Sequence, residues 1–303
     1  MHPLAHILLQ QLAQHDKRAL ARAISTVENE TEGYETLLQS LPNKHTPVIG
    51  ITGPPGAGKS TLISALTQQM LLAGKSLAIV AVDPSSPFNR GALMGDRVRM
   101  IDHFLHPDVF IRSMASRGSL GGLSPKILEV TDVLKAAWFD YIIIETVGVG
   151  QSEVEIASLA DTTILALVPE AGDDIQTIKS GVMEIADIYV LNKADRDGAN
   201  TFYKNLTMLA HSHATSDWET PVVRTVATKN EGLNELLTAI ENHGKLSQIS
   251  SRKAVLVAEK ALTLIKNMRT KDVSFPQLLE EIKECLKDEN FNLYQYVSKY
   301  RLG

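Results

Sequence analysis

The densest chemistry in the chain is the run Gly53-Pro54-Pro55-Gly56-Ala57-Gly58-Lys59-Ser60-Thr61. The spacing G-x-x-x-x-G-K-[ST] marks a phosphate cradle when a strand leads in and a helix leads out. Here the apolar run 48–52 precedes the loop, and Leu62, Ile63, Ala65 and Leu66 follow at amphipathic helical spacing. Glycines let the backbone curl until its N–H groups converge on phosphate oxygens, and the helix N-terminus adds partial positive charge. Lys59 would bring a point charge to the β and γ phosphates, Ser60 a hydroxyl for Mg²⁺, and Thr61 a contact at the α-phosphate end. The implied chemistry is phosphoryl transfer from a nucleoside triphosphate.

A phosphate loop does not choose the base. That choice is expected from Asn192-Lys193-Ala194-Asp195, which follows the buried run 188–191 at the carboxyl end of a strand, where open α/β sheets bind ligands. The Asp195 carboxylate can accept from guanine N1–H and from its exocyclic amine, a donor pair that adenine lacks. Charge-assisted hydrogen bonds contribute roughly 1.5 to 3 kcal/mol each, so two of them separate GTP from ATP by about a hundredfold or more. Asn192, Lys193 and Asp195 are therefore read as the guanine-facing set. Residues 222–228 form a further strand and turn, and the backbone around Val226, Ala227 and Thr228 is expected beside the guanine, with the Ala227 amide toward O6.

The strand-like run from Tyr141 ends in Glu145-Thr146-Val147-Gly148, and a carboxylate at a strand end is where a P-loop protein anchors Mg²⁺. Gly148 would let its amide approach the γ-phosphate. Asp83 closes the run 77–82 as a second strand-end carboxylate, and Asp96, beside Arg97, lies in a Gly-bearing stretch that could fold over the nucleotide. The expected metal side is Ser60, Asp83, Asp96 and Glu145, and the expected catalytic groups are Lys59, Glu145 and Asp83. No Gln follows Gly148 directly as it does in Ras-like GTPases, which points to slow intrinsic turnover completed by a partner.

The elements that must hold these residues are legible in the pattern. Residues 4–39 show helical spacing of apolar residues, and a short polar linker follows. Seven short apolar runs, 48–52, 77–82, 109–111, 141–144, 163–168, 188–191 and 222–226, then alternate with amphipathic stretches. Runs too apolar to have a wet face read as buried parallel strands joined by helical crossovers. The fold expected is α/β: a doubly wound, mostly parallel P-loop GTPase domain over 45–246, an N-terminal helical extension over 1–44 and a C-terminal helical arm over 247–303. A chain of 303 residues with 44% hydrophobic content can bury such a core. Its net charge of −5 provides no basic field for nucleic acid or an anionic membrane, and no apolar run spans a bilayer. One cysteine, Cys285, allows no intramolecular disulfide, and no leader pattern opens the chain, so a cytoplasmic location is expected.

Taken with 53–61 and 192–195, Val-Asp-Pro-Ser-Ser-Pro at 82–87, Gly-Asp-Arg-Val-Arg-Met at 95–100 and Glu-Thr-Val-Gly-Val-Gly-Gln-Ser-Glu at 145–153 resemble the MeaB/ArgK family. These GTPases chaperone adenosylcobalamin-dependent acyl-CoA mutases, above all methylmalonyl-CoA mutase. The resemblance covers most of the chain. It implies a homodimer, GTP-gated loading or protection of cobalamin in the mutase, release of GDP and phosphate, and a dimerising arm from Ser250 onward. It also brings an older label as a kinase tied to amino-acid transport. Residues 171–179 resemble the family's additional switch, which responds to the mutase; Thr177 stands where Gly usually follows Gln, and 89–92 is less Gly-rich than usual. Both departures bear on partner choice more than on GTP binding. A nickel-delivery GTPase is the main alternative, but His211-Ser212-His213, the one histidine pair a single residue apart, has no thiol or third ligand nearby.

Overall fold

The computed structural model describes residues 2–83, 101–115, 123–124, 126–146, 152–172, 183–212, 218–247, 252–270, 272–287 and 291–300. The chain divides into two compact units, Met1–Lys253 and Ala254–Gly303. In the first, α1 (Pro3–Ala13), α2 (Lys17–Glu28) and α3 (Tyr34–Gln39) make up the helical preface. Asp16 sets the start of α2 by accepting from the backbone N–H groups of Arg18 and Ala19 at 2.7 and 3.1 Å. Leu8, Leu20, Ile24 and Leu37 are wholly buried, in one cluster with Val130, Val133 and Leu134. Burying each such side chain stabilises by about 1.5 to 3 kcal/mol. The Arg112–Glu28 ion pair between the sheet and α2 contributes less than that packing, since part-exposed pairs are worth about 1 kcal/mol or less.

The sheet begins with β1 (Val48–Thr52), buried at every residue. It continues through β2 (Leu77–Asp83), β3 (Val109–Ala115), β4 (Tyr141–Glu145), β5 (Thr162–Leu167), β6 (Ile188–Leu191) and β7 (Val222–Arg224). The order is β3-β2-β4-β1-β5-β6-β7, and each of the six pairings is parallel. Between strands the chain folds into α4 (Lys59–Leu72), α5 (Ile101–Phe104), α6 (Ile127–Ala136), α7 (Ser152–Leu159) and α8 (Ala199–Ser212), and α9 (Leu233–Ser247) follows β7. Alternate strand residues feed two apolar layers. Ile49, Ile51, Ile79 and Ile143 pack with Leu62, Leu66 and Met70 of α4, Leu206 of α8 and Leu236 of α9. Val48, Val80, Ile142 and Ile144 pack with the preface, α6 and Ile156 of α7.

All seven apolar runs are strands; β2, β4 and β5 differ from their runs by one residue at one or both ends, and β3 and β7 differ by more. β3 runs on to Ala115 because β2 pairs with it as far as Asp83↔Ala115. β7 stops at Arg224 because the chain then turns, closing an antiparallel bridge between Val226 and Glu231. From β1 the chain crosses to β2 on one side, and from β4 it crosses to β5 on the other. The carboxyl end of β1 is thus the topological switch point where such sheets bind ligands. Away from that edge, buried His243 of α9 lies 2.9 Å from Thr162 Oγ1 and 3.4 Å from Asp187 Oδ1, pinning α9 beneath β5 and β6.

The second unit begins within α10 (Arg252–Arg269), which leads to α11 (Phe275–Cys285) and α12 (Leu293–Ser298). Neither α11 nor α12 has a buried residue. Glu281 joins them, accepting from Lys299 Nζ at 2.6 Å and from Tyr296 Oη at 2.7 Å. Among the described residues, no helix is long and apolar enough to cross a membrane.

Candidate nucleotide site

The loop after β1 turns where only glycine fits. Gly53 has φ 140°, and a Cβ there would lie 2.1 Å from the Ala166 carbonyl oxygen of β5. Gly58 has φ 81°, and a Cβ there would lie 2.6 Å from Asn192 Nδ2. The loop is thereby pressed against β5 and the segment after β6, and α4 starts immediately at Lys59 with its N-terminal amides at the loop. Lys59 is buried and donates across its own loop to the carbonyl oxygens of Gly53 at 2.7 Å and Pro54 at 3.2 Å. Phosphate oxygens would offer that ammonium charged acceptors in place of neutral carbonyls. Thr61 is exposed on the outer side of the first turn of α4.

The metal side is set by strand register. β1 pairs with β4 so that Ile51 stands beside Glu145, and Ser60 Oγ donates to Glu145 Oε1 at 2.7 Å. Both side chains are 5% exposed. A hydroxyl and a carboxylate side by side are hard oxygen donors, the set that Mg²⁺ takes, so these residues fit the ion. β2 pairs with β4 at Ala81↔Glu145, and Asp83 ends β2 two residues further toward the same sheet edge. Asp96, Arg97, Gly148 and 173–182 lie outside the described residues.

The base side is tied to the phosphate loop by side chains. Asn192 Nδ2 donates to the Ala57 carbonyl at 2.9 Å, and Lys193 Nζ donates to the Gly56 carbonyl at 2.8 Å. Asn192 Oδ1 accepts from Thr225 Oγ1 at 3.1 Å and from the Ala227 amide at 3.4 Å. Asn192, grouped by sequence with the base readers, is buried and makes these hydrogen bonds within the protein, bridging the phosphate loop to the turn after β7. The Ala227 amide, expected at guanine O6, makes only that long contact among the described residues. Val226 and Ala227 are buried and Thr228 is exposed. Thr225 is not among the sequence-predicted site residues; the run 222–226 places it inside a strand, whereas the structure ends β7 at Arg224 and leaves Thr225 1% exposed.

Asp195 is reachable from solvent, with Lys229 Nζ 2.9 Å from its Oδ2. The Lys229 ammonium holds the Asp195 carboxyl below the usual aspartate range, and Asp195 in turn raises Lys229. Arg196, next in the chain, forms an ion pair with Glu170 in the turn after β5 and holds that carboxyl low as well. The arrangement has three parts on one sheet edge: a glycine-bearing cradle with a lysine, a paired hydroxyl and carboxylate, and an ionised carboxylate at the far end. A phosphate chain, a hard cation and a base with paired N–H donors suit them respectively.

Comparison with known families decides among the proteins that share this architecture. The family model for methylmalonyl-CoA mutase-associated GTPase MeaB matches residues 20–281. The chain belongs to the MeaB family. A Pyrococcus horikoshii protein with a provisional GTPase name is 43% identical over 278 residues, covering 88% of this chain and 87% of that one. GTPase ArgK of Escherichia coli is 34% identical over 269 residues, covering 82% of this chain and 80% of its own length. A solved structure described as a LAO/AO transport system kinase is similar with a TM-score of 0.70. That likeness covers 99% of this chain and 97% of that one, and at 24% identity it shows the fold alone. Of the segment that resembles the MeaB-family switch, Ala171 and Gly172 end the short turn Pro169–Gly172. His211 of the histidine pair is 2.9 Å from Glu219, and His213 lies outside the described residues.

Proposed function

We propose that the protein binds Mg·GTP, hydrolyses it to GDP and phosphate, and uses that cycle to gate cobalamin loading or protection in an adenosylcobalamin-dependent acyl-CoA mutase, methylmalonyl-CoA mutase foremost. One observation carries the nucleotide part: Asn192 hydrogen-bonds to the phosphate loop at Ala57 and to the turn after β7 at Ala227. This bracing of the loop that carries Asp195 against the phosphate cradle supports reading the two as one site. The family description carries the mutase part.

In this reading the amides of Gly53–Thr61 receive the phosphates, and Lys59 leaves its loop carbonyls for β and γ oxygens. Asp195 takes guanine N1–H and the 2-amino group, while the backbone of Val226, Ala227 and Thr228 borders the base and Lys193 braces the loop. Ser60, Glu145, Asp83 and Asp96 form the metal side. When bound there, Mg²⁺ neutralises charge on the β and γ oxygens. Water attacks the γ-phosphorus, the bond to the β–γ bridging oxygen breaks with its electron pair staying on GDP, and the two water protons leave with inorganic phosphate, as H2PO4⁻ or as HPO4²⁻ plus a proton released to solvent. The Gly148 amide is assigned to the γ-phosphate from the sequence alone, and a partner supplies what a glutamine directly after Gly148 would.

The second unit suits a homodimer, because Leu262, Ile265, Met268, Phe275, Leu279 and Leu293 are exposed on the single chain. A cytoplasmic protein with no membrane or nucleic-acid partner fits the charge balance. The test is phosphate release from GTP and from ATP, with and without such a mutase from the same organism. GTP-selective release accelerated by the mutase supports the whole reading. GTP-selective release indifferent to it removes the client, and equal release from ATP removes the guanine assignment.

A further inference from the structure

Lys229 is not part of the site described above, yet its ammonium lies on the atom that site needs. It ends the turn Ala227–Lys229 after β7, and its Nζ is 2.9 Å from Asp195 Oδ2. The turn is well anchored: the Lys229 amide donates to Val226 O at 2.9 Å, and Val226 and Glu231 exchange backbone hydrogen bonds at 3.2 and 3.3 Å. The other cations of the base-side loop are engaged elsewhere, Lys193 with the Gly56 carbonyl and Arg196 with Glu170. The backbone therefore keeps Lys229 within reach of Asp195, while its own side chain can move.

We propose that Lys229 is a built-in competitor for the base: in the nucleotide-free protein its ammonium occupies Asp195 Oδ2, and only a base with two adjacent N–H donors displaces it. The proposal rests on Asp195 being the guanine reader. Guanine presents N1–H and the 2-amino group together and needs both carboxylate oxygens, so Lys229 must leave Oδ2. Hypoxanthine presents N1–H alone, takes Oδ1, and lets Lys229 stay. The Lys229 and Asp195 side chains are 54% and 40% exposed, so the displaced ammonium is rehydrated, and an exposed pair of this kind shifts an equilibrium by roughly fivefold at most. Lys229 thus weakens GDP binding without weakening IDP binding, and it narrows the protein's discrimination between guanine and hypoxanthine.

The experiment is equilibrium binding of GDP, IDP and ADP to the full chain and to Lys229→Gln, Lys229→Met, Lys229→Arg and Asp195→Asn. GDP is expected to bind about three- to fivefold tighter to the Gln and Met variants, with IDP unchanged and Lys229→Arg like the parent. Unchanged or weaker GDP binding in both neutral variants overturns the proposal, as does an equal gain for GDP and IDP, which would be a general charge effect. If Asp195→Asn leaves the preference for GDP over ADP intact, base reading by Asp195 fails and the proposal with it. A flat Lys229 series beside an Asp195-dependent preference overturns the proposal alone.

Discussion

Asn192 donates from Nδ2 to the carbonyl oxygen of Ala57, 135 residues earlier in the chain, at 2.9 Å. The same side chain accepts from Thr225 and Ala227. One buried amide therefore sets the separation between the end of the site that suits phosphate and the end that suits a base.

Replacing Asn192 by Ala removes these bonds together and leaves the Ala57 carbonyl and the Thr225 hydroxyl without that partner. Each buried group left unsatisfied costs about 1 to 3 kcal/mol. The expected outcome is a loss of at least about 2 kcal/mol in urea unfolding, with weaker binding of GDP and ADP alike. Loss of GDP binding alone, with unfolding unchanged, would assign Asn192 directly to the base.

Glu145→Gln keeps an oxygen that accepts from Ser60 Oγ and removes the charge. The fold should hold, with an unfolding midpoint near the parent's. Turnover of GTP should fall by about tenfold to a hundredfold, and half-maximal activity should need more Mg²⁺, as when a carboxylate at a metal site is lost. A Mg²⁺ titration of phosphate release reads both changes, and an unchanged curve would take Glu145 out of the metal side.

The second unit carries a pH signature. Lys299 and then Tyr296, both hydrogen-bonded to Glu281, hold its carboxyl below the ordinary value of 4.5, while partial loss of hydration and then the hydrogen bond to Glu281 push Tyr296 up to about 12. A depressed carboxylate contributes stability that is fully present above its unfolded pKa and is lost as pH falls through the folded one. The link between α11 and α12 should thus be intact at neutral pH and weaken only below about 4.5. NMR titration of the Glu281 carboxyl should give a midpoint under that value, returning toward it in Lys299→Met. A midpoint unmoved by that substitution would show that the pair does not persist in solution.

Much of this was legible before the structure. Runs such as Val48–Thr52 are apolar on both faces, so their burial as parallel strands follows from composition, and the phosphate loop is a contiguous motif whose flanks announce its geometry. What stayed hidden depends on contacts between distant segments. Nothing local in Asn192 distinguishes an amide that faces a base from one that braces Ala57. Thr225 reads as part of a strand because Val222, Val223 and Val226 flank it, and the turn that ends β7 comes from the bridge to Glu231. The spacing of Leu8, Leu20 and Ile24 announced helices, while their burial in one cluster with α6 is set by packing. The Lys229–Asp195 contact joins two surface residues, each of which reads alone as solvated.

Whether the phosphate cradle and Asp195 form one guanine site is read by calorimetric titration of GDP, XDP and ADP into the parent and Asp195→Asn. Xanthine carries a carbonyl where guanine has its 2-amino group, so an asparagine amide can donate to it where a carboxylate repels it. The parent should prefer GDP over ADP by about a hundredfold, and Asp195→Asn should lose at least about tenfold for GDP while gaining affinity for XDP. GDP binding of equal strength in parent and variant, with no gain for XDP, would contradict the assignment of Asp195 to the base.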